Sequence, residues 1–181
     1  ISQPAARRGL GLYVVVWSVC LLFLLVKGGL RAMIVPGYFD IDLVAVTVAY
    51  LVAWHGDPWA GAFALSMGLL IDVLSAAPLG LFSVIYLILF LGVRLGDVLF
   101  DLQSFKGQLI VVFLAVFLKK LLFIGFLNLF SLRTAVDAQV LFAFFCSAVF
   151  TALAAPAVSF GYDAAARIIE KVHPDLGEPQ P

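Results

Sequence analysis

The stretch Gly68-Leu-Leu-Ile-Asp72-Val-Leu-Ser-Ala-Ala-Pro78-Leu-Gly80-Leu-Phe82 places one acidic residue inside a long apolar run and then interrupts that run. A charged side chain within hydrocarbon costs about 2.5–3.5 kcal/mol on insertion scales, unless it is paired or faces a protein interior. We therefore expect Asp72 to face neighbouring helices and to be a fixed point of their packing. Pro78 and Gly80 should end the helix that carries Asp72 and form a short turn into the next helix.

The composition around this stretch is that of a membrane protein. Of the 181 residues, 64% are hydrophobic and 12% are charged, whereas about 25% are charged in an average soluble domain. The apolar residues occur in long runs, which predicts an all-α, polytopic membrane protein. The formal net charge is zero, so no basic surface for nucleic acid is expected.

Six apolar runs predict six transmembrane helices: residues 10–26, 41–54, 59–76, 79–95, 107–130 and 139–160. The second run is short, because a span normally needs roughly 20 residues. The first run follows Arg7 and Arg8 but has no small-residue cleavage site after it, which favours a retained helix over a signal peptide. We predict one six-helix domain over residues 1–173 and a disordered tail over 174–181.

Two of these runs carry small residues at every fourth position, which lie on one face of a helix. In the third run the series is Ala60, Ala64, Gly68, Asp72 and Ala76. In the sixth run the series is Ala143, Ser147, Thr151, Ala155 and Ser159. Small residues let helix backbones approach closely in membranes, so we expect these two faces to pack on each other. Chance spacing in an alanine-rich segment is the alternative.

Two adjacent lysines, Lys119 and Lys120, lie in the middle of the fifth run. Neighbours on a helix point about 100° apart, so both cannot face one partner. Asp72 lies roughly 20 Å along its helix from Trp59, and the lysines lie roughly 18–20 Å from Gly107, at 1.5 Å per residue. Because both helices should ascend from the same side, we hypothesise that Asp72 pairs with Lys119 or Lys120.

The segment between the fourth and fifth runs, residues 96–108, has apolar residues at helical spacing and polar residues on another face. It fits a short amphipathic helix on the membrane surface, and an irregular loop is the alternative. Basic residues are more frequent on the side of the membrane that holds the N-terminus, which predicts that both termini are cytoplasmic.

No catalytic or metal-binding pattern is visible. His55 lies in a turn and His173 near the tail, without metal-ligand spacing. Cys20 and Cys146 both fall in apolar runs and are expected to be inert, small hydrophobic residues. Asp72 would need a second reactive group at its own depth to act as an acid or base. We therefore expect a protein that is not an enzyme and has no cofactor.

The stretch from Gly68 to Phe82 resembles a motif of the MreD family, the bacterial rod shape-determining membrane proteins. In that family a Gly-Leu-Leu-Leu-Asp-Leu-Leu-Ser-small-small-Pro-Leu-Gly-Leu run occupies the third helix and the turn after it. The resemblance covers about fifteen residues closely and, for the remainder, the hydropathy profile of six short apolar spans. Asp42-Leu43 also resembles the start of the family's second helix, but Ile41 stands where the family has proline.

The resemblance implies a non-enzymatic scaffold of the cell-elongation machinery in the bacterial inner membrane, active in cell-shape maintenance and peptidoglycan synthesis. Its implied partners are MreC and membrane lipids, and indirectly RodA with its class B penicillin-binding protein and MreB. MreD-like proteins are also similar in fold to the substrate-binding subunits of energy-coupling-factor vitamin transporters. A vitamin-binding subunit is therefore the alternative, although the loop after Pro78 and the loop at residues 131–138 are short for a lid.

Overall fold

The computed structural model describes residues 4–30, 41–55, 57–75, 78, 80–100, 102, 104–129 and 137–172. These residues form six α-helices, in this order: α1 Pro4–Leu30, α2 Leu43–His55, α3 Asp57–Ser75, α4 Leu81–Leu99, α5 Phe105–Leu129 and α6 Ala138–Val172. The all-α class is confirmed. The predicted tail at residues 174–181 lies outside the described residues.

Four of the helices contain apolar segments long enough to cross a membrane: Pro58–Ser75, Leu81–Leu99, Phe105–Phe126 and Ala138–Ile168. The apolar parts of α1 and α2 are shorter, at Tyr13–Gly28 and Leu43–Trp54. The chain is therefore a multi-pass membrane protein, and a count of six spans stays a prediction.

The helices form a ring of five around one central helix. In the described part of the chain, α1 contacts α3, α3 contacts α4, α4 contacts α5, α5 contacts α6, and α6 returns to α1. The remaining helix, α2, contacts all five members of the ring. The architecture is thus a closed helical ring with a filled centre.

The central helix α2 is buried on every side. All nine residues from Val44 to Val52 are buried, and successive residues point about 100° apart, so they cover the whole circumference. A helix that is hydrophobic all round is expected in the core of a protein or in a membrane. Here the ring covers α2, which makes the shortest predicted span the centre of the fold.

The predicted contact between the two small-residue faces is wrong. Within the described residues α3 packs on α4, α2 and α1 but does not contact α6. A short turn joins α3 to α4, so these helices become neighbours in the ring, and α6 lies across α2 from α3. The small face of α6 is nevertheless buried, since Ser147, Thr151 and Ala155 are each 0% exposed.

Gly68 sets the distance between α3 and α4. A Cβ added to it would lie 2.6 Å from Ser83 Cα and 3.0 Å from the carbonyl oxygen of Phe82. Both atoms belong to the backbone of α4, so no side-chain rotation relieves the clash. We expect Gly68→Ala to lower the free energy of unfolding by about 1–3 kcal/mol through overpacking. Unfolding in mixed micelles, followed by circular dichroism during a denaturing-detergent titration, measures this.

Gly92→Ala is the matched control, because an added Cβ at Gly92 meets nothing within 4 Å. Alanine favours a helix over glycine by up to about 1 kcal/mol, so this variant should be unchanged or more stable. Equal destabilisation by both substitutions would contradict the close approach at Gly68.

The predicted amphipathic helix over residues 96–108 is not formed as one element. Residues up to Leu99 continue α4, Phe100 has an extended backbone with φ −133°, and α5 begins at Phe105. Of the intervening residues, 101 and 103 lie outside the described part of the chain. The alternative of an irregular connection fits the described residues.

Candidate functional site

Asp72 binds the start of the next helix. The side chain is 1% exposed. Its Oδ1 accepts a hydrogen bond from the Phe82 backbone N–H at 2.8 Å. Its Oδ2 accepts from the backbone N–H of Gly80 at 3.1 Å, and from the backbone N–H and the hydroxyl of Ser83 at 3.1 and 2.6 Å. We call this set of contacts the Asp72 cap.

The Asp72 cap supplies the hydrogen-bond acceptors that the N-terminus of α4 lacks. The first N–H groups of a helix have no partner within the helix, and the helix dipole makes that end favourable for a negative charge. The N-cap residue is Gly80, which has no side chain to accept these bonds. A carboxylate from the preceding helix therefore takes the place of a local capping side chain.

Other residues of the stretch from Gly68 to Phe82 also shape the turn between α3 and α4. Gly80 has φ +95°, a left-handed conformation that favours glycine. Pro78 is exposed just before it, and its carbonyl accepts from the Leu81 N–H at 3.1 Å. Gly68 brings the two backbones close enough for Asp72, one turn further along α3, to reach them. The motif therefore encodes an α3–α4 hairpin closed by a buried anion.

A second buried carboxylate, Asp42, lies immediately before α2. It forms an ion pair with Lys119 of α5. The Tyr86 hydroxyl of α4 donates to Asp42 Oδ1 at 3.3 Å and accepts from Lys119 Nζ at 2.6 Å. The Asp42 N–H donates to Thr151 Oγ1 of α6 at 3.2 Å. We call these four residues the Asp42 cluster.

The hypothesis that Asp72 pairs with Lys119 is wrong, because Lys119 pairs with Asp42 while α4 backbone groups surround Asp72. Lys120 points elsewhere, as expected for its neighbour, and lies over the ring of Phe144 on α6 at 5.1 Å from its centroid. Lys119 itself lies 4.2 Å from the ring centroid of Tyr86.

A third polar contact joins α2 to α1 and α6. The Thr47 hydroxyl lies 2.8 Å from the Tyr162 hydroxyl and 3.2 Å from Cys20 Sγ. One turn further along α2, the Tyr50 hydroxyl donates to Asp163 Oδ1 at 2.8 Å. Cys20, expected to be a small hydrophobic residue, is thus a hydrogen-bonding partner in the core.

The predicted packing residues lie in the interior where the structure describes them. Ala60 and Ala64 are 0% exposed, Ala143 is half-buried, and Ala76 lies outside the described residues. Asp42 connects the start of α2 to the ring, whereas Asp72 joins α3 to α4 within it. Polar contacts matter for this because helix association in membranes relies on packing and hydrogen bonds.

The two carboxylates are both occupied by protein donors. Neither offers an open position beside a second acid, a nucleophile or a histidine within the described ranges. In the same part of the chain, no three metal-ligating side chains of the His, Cys, Asp and Glu types lie together. The arrangement is suited to holding helices in position.

Sequence reasoning missed Asp42 as the partner of Lys119, and it missed Tyr86 and Tyr162 altogether. The sequence contains one indication of the importance of Asp42: like Asp72, it is an acidic residue directly beside an uninterrupted apolar run. Asp42 also caps the N-terminus of α2, since its Oδ1 accepts from the Ala45 N–H at 3.2 Å.

No family model, no curated protein and no solved structure matches this chain.

Proposed function

We propose that this chain is a non-enzymatic scaffold of the MreD type, which acts in the bacterial inner membrane during cell elongation. The observation that carries the proposal is the Asp72 cap, in which Gly68, Asp72 and Gly80 of the MreD-like motif share one task. Because the carboxylate of this motif caps a helix, the motif supports a structural role in the protein. It does not favour a role in substrate chemistry.

In this proposal all six helices cross the membrane, with both termini in the cytoplasm, in a fold similar to that of energy-coupling-factor substrate-binding subunits. The α1 and α2 helices would cross as members of the bundle. The α2 helix is short for a span, but the ring around it provides apolar surroundings. The rigid α3–α4 hairpin would present a fixed outer surface to MreC. Contact with RodA, its class B penicillin-binding protein and MreB would be made through MreC.

Purification of the tagged full chain from native membranes tests this function. We expect an MreC-like protein to co-purify, and we expect depletion of the chain to turn rods into spheres. Asp72→Ala should lose the partner and fail to restore rod shape. Val73→Ala, at a neighbouring position that is 73% exposed, should retain both because its side chain faces away from the bundle.

The vitamin-binding alternative predicts a different result from the same preparation. A pair of ATPase subunits and a bound vitamin, with normal cell shape after depletion, would contradict the scaffold proposal.

A further inference from the structure

An open apolar groove runs between α5 and α6 on the outside of the ring. Its volume is about 330 Å³. Its walls are formed by side chains of both helices, among them Leu109, Ile110, Phe113 and Leu114 of α5 and Val149 and Leu153 of α6. The wall residues Leu114 and Leu153 are each about half exposed, so the groove opens toward the surroundings of the bundle.

The walls of the groove belong to the apolar parts of α5 and α6 that are long enough to cross a membrane. Around such segments the surroundings of the bundle are lipid acyl chains. An extended hydrocarbon chain is apolar throughout, and the almost wholly apolar wall matches it.

A basic residue lies at one end of the groove. Lys106 precedes Leu109 and Ile110 by three and four residues, so it lies on the same face of α5, one turn beyond the groove. The side chain of Lys106 is exposed, and within the described residues no carboxylate pairs with it.

From this juxtaposition we propose that the α5–α6 groove binds an anionic phospholipid, with an acyl chain in the groove and the phosphate at Lys106. The positive charge complements the phosphate, and the apolar walls complement the acyl chain. Basic sites between helices at the cytoplasmic side are a recognised way of holding anionic headgroups. In the orientation proposed above, Lys106 lies on that side. The site itself requires only the groove and the lysine.

Native mass spectrometry tests the site on the purified full chain, released from micelles with equal amounts of phosphatidylglycerol and phosphatidylcholine. We expect bound phosphatidylglycerol to exceed bound phosphatidylcholine by about fivefold, the ratio that corresponds to ~1 kcal/mol for one lysine near an anionic lipid. Lys106→Gln should bring the ratio close to one. Arg94→Gln removes the same charge from an exposed position on α4, a helix that does not line the groove, and should leave the ratio unchanged.

Filling the groove tests the acyl-chain part. Leu153→Trp adds bulk at a wall residue that is 59% exposed, so it should fold and lose most retained lipid of both kinds. Leu118→Trp is its control, at a position that is 43% exposed and outside the groove. Circular dichroism and elution volume check that both variants fold.

Equal retention of the two lipids by the unchanged chain would overturn the proposal. So would an equal loss in Lys106→Gln and Arg94→Gln, or in the two tryptophan variants. A dimer peak that disappears only in Leu153→Trp would show that a second copy occupies the groove instead, which also overturns it.

Discussion

Asp72→Ala should lower the free energy of unfolding by about 3 kcal/mol. Loss of a helix N-cap costs about 0.5–2 kcal/mol, and a buried donor left without a partner adds about 1–3 kcal/mol. Here one carboxylate serves three backbone N–H groups and one hydroxyl. The Gly80 cap has no side chain that can replace it, so the loss is not compensated locally.

Asp72→Asn removes the negative charge at the helix N-terminus and turns one of the two acceptor oxygens into an NH₂ donor. The amide oxygen can still accept from the groups that one carboxylate oxygen served. We expect a smaller loss of stability than in Asp72→Ala, because part of the Asp72 cap remains. Denaturing-detergent titration of the variants measures it, and an Asn variant as unstable as the Ala variant would mean that the remaining oxygen does not contribute to the cap.

A double-mutant cycle on Asp72 and Lys119 tests the partner assignment. Because Lys119 pairs with Asp42, the effects of Asp72→Ala and Lys119→Ala should add within about 0.5 kcal/mol. A coupling of 1 kcal/mol or more would instead favour the pairing inferred from depth along the helices.

Lys119→Ala should destabilise the chain by about 3–5 kcal/mol, since removal of one member of a buried ion pair leaves the other charge uncompensated. The variant also removes the hydrogen bond from Lys119 to Tyr86. The double variant Asp42→Ala with Lys119→Ala should recover part of this loss, because no unpaired charge remains.

Lys120→Ala is the matched control on the neighbouring residue. Lys120 lies over the ring of Phe144, and its removal leaves the ion pair of Asp42 with Lys119 in place. The loss should therefore be clearly smaller than for Lys119→Ala. Equal losses in the two variants would argue against a special role for the Asp42 cluster.

The hairpin could be predicted because Pro78 and Gly80 interrupt the apolar run, and the burial of Asp72 because an unpaired carboxylate is costly in hydrocarbon. The partner of Lys119 could not be predicted. Counting residues from helix ends gives the depth of a side chain but not the direction in which it points. Only the arrangement of the ring shows that Asp42, and not Asp72, lies within reach of Lys119.

The central position of α2 was hidden for a different reason. A helix that is apolar on all sides has no preferred face, so its pattern fits lipid and protein surroundings equally. The run is shorter than the roughly 20 residues that a span normally needs, which made it look like the least favourable span. In the structure Val44 to Val52 are buried, so the helix need not meet lipid along its full length.

Because α2 is buried by helices that follow it in the chain, it is synthesised before it can be enclosed. Its 13 residues rise about 20 Å, against about 30 Å of hydrocarbon, so it cannot be held in the bilayer by its own length. Lys119 follows Asp42 by 77 residues, which takes a ribosome about 4–15 s to add. During that interval Asp42 lacks Lys119, and α2 lacks two of the helices that cover it. The central helix can therefore be fully enclosed only after α5 and α6 have been made.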